Sequence, residues 1–143
     1  MTNTIQFTVY GEPVAKGRPR FSTRGGFPRS YTPAKTLRAE DDFRAQALSR
    51  RPSKPVTGQV DLEVSFYRSI PKSFSKRKRQ DALDGRIAPT TRPDVDNYVK
   101  LICDAMNGIF WQDDAQIVCM RVHKKYSDTP RTEVTMTYEG GGE

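Results

Sequence analysis

The chain has 143 residues and a formal net charge of +7, from 24 Lys and Arg against 17 Asp and Glu. This length predicts one domain with a core of its own, and the excess of cations favours a polyanionic partner, nucleic acid before an acidic membrane. One histidine and two cysteines exclude zinc sites built from clustered Cys and His, and no apolar run approaches the roughly 20 residues of a membrane span.

The first half of the chain predicts two strands and one helix. Apolar residues alternate with polar ones over residues 5–9, which is typical of a strand, and the alternation over 60–67 predicts another strand more strongly. Thr32 and Pro33 form a favourable helix start, and the helix is expected to run from Pro33 to about Ser49. Its thin apolar face would consist of Leu37, Ala45 and Leu48, with Phe43 to one side.

The second half predicts a short helix, a long helix and two strands. Residues 75–83 fit the short helix, and residues 94–107 fit the long one, which Gly108 ends. Strands are expected over 116–126 and 133–138. The long helix carries an apolar stripe with the spacing of one helix face, made of Val95, Tyr98, Val99, Ile102, Ala105 and Met106.

The chain has two basic stretches, at residues 12–31 and 68–92. Glycines and prolines in the first predict an extended surface arm. Aromatic residues such as Phe21 and Phe74 lie among the cations, a mixture that suits phosphate contact and stacking on exposed bases. A solvated helix face over residues 76–79 is the alternative. The candidate DNA-binding residues are Lys16, Arg18, Arg20, Arg24, Arg29, Lys72, Lys76, Arg77, Lys78, Arg79, Arg86 and Arg92.

Acidic residues occur at the start of the long helix and in the turn before the following strand. Asp94 and Asp96 precede Lys100, which shares one helix face with Asp96, and Asp113 and Asp114 form the turn. If the turn packs against the helix start, these carboxylates converge and need a cation, and oxygen ligands select Mg²⁺ or Mn²⁺. Such an ion supports phosphodiester hydrolysis, and Lys100 would orient water or stabilise the oxyanion.

Each acidic residue also has a purely structural interpretation. Asp94 is at a helix cap position, Asp96 and Lys100 fit an exposed ion pair, and Asp113 and Asp114 fit ordinary turn chemistry. On that interpretation the chain is a nucleic-acid-binding module without catalytic activity. Spacing alone leaves the two interpretations about equal.

The remaining polar and aromatic candidates predict no further site. Cys103 and Cys119 lie in predicted regular structure, where buried reduced thiols are expected; with no secretory pattern at the N-terminus, the sequence predicts a cytoplasmic protein. Phe110 and Trp111 are expected in the core or a dimer interface, and His123 in a strand.

The acidic motif resembles a known family signature. Residues 94–100, followed by Asp104-Ala105 and by residues 110–118, resemble the pattern of the RusA family of Holliday-junction resolvases. The segments 11–13, 16–21 and 31–33 resemble its phage and prophage branch. One departure is Pro93, which stands before Asp94 where some members have arginines.

The resemblance spans nearly the whole chain and implies one RusA-like endonuclease domain over 1–143, with 140–143 as a disordered tail. It implies an α+β fold, a mixed sheet of about four strands packed with two main helices and long basic loops. It also implies a homodimer that uses Mg²⁺, with Mn²⁺ as a substitute, to nick four-way DNA junctions symmetrically in recombination and repair. By the same resemblance Asp94, Asp96 and Asp114 are catalytic and metal-binding, Lys100 is catalytic, and Asp113 is a further candidate ligand.

Overall fold

A computed structural model describes residues 2–17, 20–26, 29–31 and 33–140 of the chain. Single 3₁₀ turns occur at residues 24–26, 48–50 and 114–116. The strands are β1 (Thr2–Tyr10), β2 (Arg20–Ser22), β3 (Arg29–Tyr31), β4 (Val60–Ser69), β5 (Ile117–Ser127) and β6 (Arg131–Glu139). The helices are α1 (Ala34–Ala47), α2 (Lys76–Leu83) and α3 (Val95–Met106). The fold is therefore a small α+β domain, as predicted.

Four strands form a mixed sheet in the order β1-β6-β4-β5. β6 pairs antiparallel with both β1 and β4, whereas β4 and β5 are parallel. Parallel neighbours need a long crossover, and the segment that contains α2 and α3 provides it. The turn at 128–130, which follows β5, passes the end of β4 to reach β6, so β5 lies at the sheet edge.

The core lies on one face of this sheet. Val60, Leu62, Val64 and Phe66 are at most 2% exposed, and they alternate with exposed or half-buried residues, which confirms the predicted alternation of β4. Most of the predicted stripe of α3 packs here, and Tyr98 stacks on Phe66 with ring centroids 4.8 Å apart. Val95 is 37% exposed, so its place in the stripe is wrong, and Leu101 and Cys103 are buried instead. Packing against the sheet thus fixes the direction in which each face of α3 points.

The predicted face of α1 is wrong. Leu37 and Leu48 are 49% and 40% exposed, whereas Thr36, Phe43 and Ala47 are buried. The few aliphatic side chains of this helix define its orientation weakly, and the edge-to-face contact of the Phe43 ring with Phe7, at 6.1 Å, lies on the buried side. The helix begins at Ala34, one residue later than predicted, with Pro33 at the cap position; Thr32 lies outside the described residues.

The first basic stretch contains an antiparallel hairpin of β2 and β3 where an extended arm was predicted. The chain before the hairpin is held close to α1, because the Gly17 amide donates to Thr36 Oγ1 at 2.9 Å. A Cβ at Gly17 would lie 2.9 Å from the same oxygen, so a side chain there would require a shift. Of the predicted tail, residues 141–143 lie outside the described part of the chain.

Candidate active site

The start of α3 presents two acidic side chains that have no partner among the described residues. Asp94 is at the helix cap position with φ −73° and ψ 154°, but its carboxylate accepts no capping hydrogen bond. Asp96, in the first turn, is exposed and forms no ion pair with Lys100 or any other described residue. The structural interpretation of this pair, a cap and an i,i+4 ion pair, is therefore not what the chain forms.

The neighbouring acids Asp113 and Asp114 have different surroundings. Asp113 Oδ1 accepts a hydrogen bond from the Ala115 amide at 3.3 Å and caps the 3₁₀ turn that follows. Asp114 is half-buried, and the indole Nε1 of Trp111 donates to its Oδ1 at 2.7 Å. Trp111 is fully buried, which confirms its predicted place in the core. Turn chemistry thus accounts for Asp113, whereas Asp114 is fixed by a side chain from the core.

Gln116 fixes the turn that carries both aspartates. Its Oε1 accepts the amides of Gln112 and Asp113 at 2.9 and 2.8 Å, and its Nε2 donates to the carbonyls of Val56 and Gly58 at 2.8 and 2.9 Å. These four bonds use the full capacity of a glutamine amide. The turn is therefore tied to the chain that precedes β4.

A groove of about 450 Å³ joins this turn to the middle of α3. Asp114, Lys100 and Asp104 supply its charged groups, and the start of β5 supplies much of its apolar wall. Val118 and Met120 of that wall are 60% and 40% exposed. The groove brings Lys100 and Asp114 to one place. Asp96 lies four residues before Lys100, or roughly 6 Å along the helix axis.

The predicted convergence of carboxylates on one ion is not complete in this arrangement. Within the described residues, no three His, Cys, Asp or Glu side chains are placed to hold a metal together. The donor chemistry nevertheless fits a hard divalent cation, because the candidate ligands are carboxylates and those of Asp94 and Asp96 lack partners in the described chain. Mg²⁺ is commonly held by one or two carboxylates, with water and substrate phosphate as further ligands.

Lys16 lies beside α3 and is paired. Its ammonium contacts the carboxylate of Asp104, and this hydrogen bond raises the pKa of Lys16 despite partial burial. Its backbone amide donates to the Asn97 carbonyl at 3.0 Å. Glu40 is near this pair, and desolvation followed by the negative charge of Asp104 raises the pKa of its carboxyl. A DNA contact by Lys16, which was predicted from sequence, would have to compete with Asp104.

The two cysteines line the same groove but differ in exposure. Cys103 is buried, and burial, helped by the carboxylates of Asp114 and Asp104, raises the pKa of its thiol to about 12. Cys119 is exposed, so its predicted burial is wrong. The register of β4 and β5 shifts at Val60/Asp61, and after this shift Cys119 pairs with the exposed Asp61. Both thiols are free.

A basic surface lies on and around α2. Ala82 anchors this helix in the core at 1% exposure, and Ser75 Oγ caps it by accepting the Lys78 amide at 3.2 Å. Lys78 Nζ lies 4.3 Å from the ring centroid of Phe74, which itself packs edge-on against Tyr126. We define the α2 basic surface as seven exposed cations: Lys72, Lys76, Arg77, Lys78, Arg79, Arg86 and Arg92.

Most of these cations have no fixed partner. Arg86 is the exception among ion pairs of the described residues, with its Nη1 3.8 Å from Asp81 Oδ1. In the first basic stretch, Arg18 lies outside the described residues, and the side chains of Arg20, Arg24 and Arg29 are likewise not described. Their DNA contacts stay predictions.

Several residues that build the site were given no role in it by the sequence-based prediction. Lys124 and Arg68 donate hydrogen bonds to the segment just before Asp94, and Trp111 and Gln116 hold the Asp114 turn. One signal was present in the sequence: Lys124 occupies an inward position in the alternation of β5. His123 lies in that strand as predicted, 3.5 Å from Glu63.

Comparison with known proteins gives two matches. The sequence profile of the family described as "Endodeoxyribonuclease RusA" matches residues 10–137. The chain is 48% identical over 132 residues to the "Uncharacterized protein YqaN" of Bacillus subtilis (strain 168), and the alignment covers 91% of this chain and 93% of that protein. None of the helices in the described residues is long and apolar enough to cross a membrane.

Proposed function

Because the chain belongs to the RusA family of endodeoxyribonucleases, we propose that it is a Mg²⁺-dependent, structure-selective nuclease that resolves four-way Holliday junctions by paired symmetric nicks. The observation that carries this proposal concerns two carboxylates at the start of α3, those of Asp94 and Asp96, which have no partner among the residues that the structure describes. The same helix brings Lys100 to the groove beside Asp114. Acids that form no ion pair within the described part of a chain of net charge +7 suit cation binding better than they suit structural support.

The proposed ligands of the ion are the carboxylates of Asp94, Asp96 and Asp114, with Mn²⁺ as a substitute for Mg²⁺. The ion, when bound, would activate water and neutralise charge that grows on phosphorus. Lys100 supplies a cation at the groove and would stabilise the oxyanion of the transition state. The indole hydrogen bond holds Asp114 in position, while Asp113 serves the turn as a cap.

The α2 basic surface would hold the phosphate backbone of the arms. Exposed cations without fixed partners adapt to phosphates and release counterions when they bind, so affinity should fall steeply with salt. Two sites related by a two-fold axis reach both scissile strands of a two-fold-symmetric junction, and for this reason we propose that the active form is a homodimer.

The direct test is cleavage of labelled four-way junction, fork and linear duplex, with and without Mg²⁺, resolved on a denaturing gel. We expect the junction to be nicked in opposite strands only when Mg²⁺ or Mn²⁺ is present. The variants Asp94→Asn, Asp96→Asn and Asp114→Asn should each lose more than about 100-fold in rate, since charge stabilisation of several kcal/mol is removed. Their junction affinity should be kept or increased, because each loses a negative charge near the DNA.

Two further variants serve as controls. Asp61→Asn changes an exposed acid of β4 outside the groove and should cut at the wild-type rate. Asp113→Asn keeps an oxygen that can accept the Ala115 amide and should cut within about threefold of wild type. Wild-type cleavage by all three Asp→Asn site variants would refute the assignment, and salt-sensitive binding without any Mg²⁺-dependent product would favour the non-enzymatic binding module.

A further inference from the structure

The segment that leads into Asp94 is held by two cations from the sheet. Lys124 Nζ donates to the carbonyl oxygens of Thr91 and Pro93 at 2.8 and 3.0 Å. Arg68 Nη1 donates to the same Thr91 carbonyl at 3.0 Å and to Thr91 Oγ1 at 3.3 Å. Three backbone-directed bonds therefore converge on the residues immediately before α3.

Lys124 occupies an unusual position for a lysine. It pairs in register with Phe66, which is 1% exposed, and so it points from β5 toward the side of the sheet that carries the core. A half-buried ammonium there must have polar partners to offset its desolvation. It also lies near the positive end of the α3 dipole, where a cation does not stabilise the helix. Its role is therefore better explained by the carbonyls that it holds than by the stability of α3.

The position of Asp94 depends on these carbonyls. Pro93 O and the Asp94 nitrogen belong to the same peptide group. The hydrogen bond from Lys124 to Pro93 O therefore fixes the orientation of the peptide plane that precedes the Asp94 Cα. The Asp94 side chain makes no capping bond that would orient the residue. Its carbonyl in turn accepts the amides of Asn97 and Tyr98, both at 3.2 Å, at the beginning of α3.

We propose that Lys124 is a positioning residue for Asp94, which it acts on through the Pro93 carbonyl, and that Arg68 supports it through Thr91. The inference rests on the proposed function, because it assigns Asp94 a role in catalysis. Lys124 would fix the backbone so that the carboxylate of Asp94 keeps the direction that a bound cation requires. Partners of this outer kind typically change metal affinity or activity by about 10- to 100-fold when removed.

The test replaces Lys124 with Met, which keeps the length of the side chain and removes its donors. We expect the single-turnover rate on saturating junction to fall about 10- to 100-fold, and Mn²⁺ binding to the DNA-free protein, measured by electron paramagnetic resonance, to weaken. Junction affinity should change less than about threefold, because the Lys124 ammonium donates its hydrogen bonds to the protein and not to DNA phosphates. Amide exchange at Asn97 and Tyr98 should become faster, because both amides bond to Asp94 O.

Lys125→Met is the matched control. Lys125 is the next residue of β5, is exposed, and has its Nζ 5.7 Å from the Tyr67 ring centroid. It should leave rate, Mn²⁺ binding and amide exchange unchanged. Lys124→Arg keeps charge and donors and should recover part of the rate. If Lys124→Met does not fold, Arg68→Met can replace it, because this change removes only the bonds to Thr91. It should lower the rate, weaken Mn²⁺ binding and speed amide exchange in the same way, but less.

The outcomes separate this inference from the proposed function. If Asp94→Asn is inactive while Lys124→Met cuts at the wild-type rate with unchanged Mn²⁺ binding and exchange, the positioning role is wrong and the proposed function stands. If Asp94→Asn cuts normally, the assignment of the site fails first, whatever Lys124→Met does. A loss of stability without a change in Mn²⁺ binding or in exchange at Asn97 would make Lys124 merely structural and would also overturn the inference.

Discussion

The acidic end of α3 and the basic helix α2 are both exposed, but they are supported in opposite ways. Around Asp94 and Asp114, buried or half-buried donors fix the backbone and one carboxylate at 2.7–3.0 Å. On α2, one small residue, Ala82, is buried, and the cations extend into solvent with few partners among the described residues. Chemistry on a phosphodiester needs fixed geometry, whereas phosphate binding needs charge that can adapt. Changes in the two regions should therefore separate rate from affinity.

The largest effect should come from removing four cations of α2 together. With all four replaced by Gln, we expect junction affinity to fall by about 100-fold or more near physiological salt, with the slope of log K against log salt smaller by up to about 3.6. The rate on saturating junction should stay within about threefold of wild type, because these side chains do not contact the groove. The substituted residues are Lys76, Arg77, Lys78 and Arg79.

The control removes the same charge elsewhere. Four exposed cations outside both basic stretches, replaced by Gln, should weaken binding far less if the position of the charge matters. These are Arg38, Arg50, Arg51 and Lys54. Equal losses of affinity in the two quadruple variants would mean that net charge alone drives binding, and the comparison between the regions would lose its basis.

A smaller effect, of opposite kind, is expected from Trp111→Phe. An aromatic ring, smaller than the indole, is retained, but the donor to Asp114 Oδ1 is removed. We therefore expect a rate loss of about 10-fold at unchanged junction affinity. Stability should also fall, because Trp111 is fully buried. Phe110→Leu is the control, since Phe110 is 1% exposed and has no contact of this kind with Asp114. A similar rate loss in both variants would mean that core packing, not the indole bond, supports Asp114.

Regular patterns made much of the fold predictable. The alternation of β4 and the stripe of α3 are set by burial on one face. The alternation of β4 agrees with the structure, and so does the stripe from Tyr98 onward, whereas Val95 is exposed. The face of α1 was not predictable in this way, because Thr36 is buried and Leu37 exposed. The order of the strands could not be predicted from the sequence pattern either. No local signal indicates that β6, which follows β5 in the chain, pairs with β4 on the side away from β5.

The candidate site was predictable only in its ligand types. The motif ranks Asp114 above Asp113 by resemblance, but it gives no physical reason: Asp113 caps a turn, whereas a buried indole holds Asp114. That distinction depends on Trp111 and Gln116, whose contacts follow from tertiary packing. Lys16 pairs with Asp104, 88 positions away in the chain. A prediction based on the local count of charges therefore treated Lys16 as a free cation.

The smallest effect expected is electrostatic and concerns Glu40. Desolvation and the charge of Asp104 raise the pKa of its carboxyl. The folded state therefore holds the proton of this carboxyl more tightly than the unfolded state does. Its contribution to stability is complete below the ordinary glutamate pKa and is lost as pH rises through the higher folded value. At neutral pH the ionised Glu40 therefore weakens the fold slightly.

Glu40→Gln removes this effect, and we expect a gain of less than about 1 kcal/mol in the free energy of unfolding at neutral pH, since the side chain is only partly buried and water screens it. The gain should vanish near about pH 3.5, where the carboxyl is protonated in both states. Urea unfolding at the two pH values measures it. Glu139→Gln, at an exposed glutamate of β6, should give no such difference. A gain that persists at low pH would have to come from packing, and the raised pKa would then not explain it.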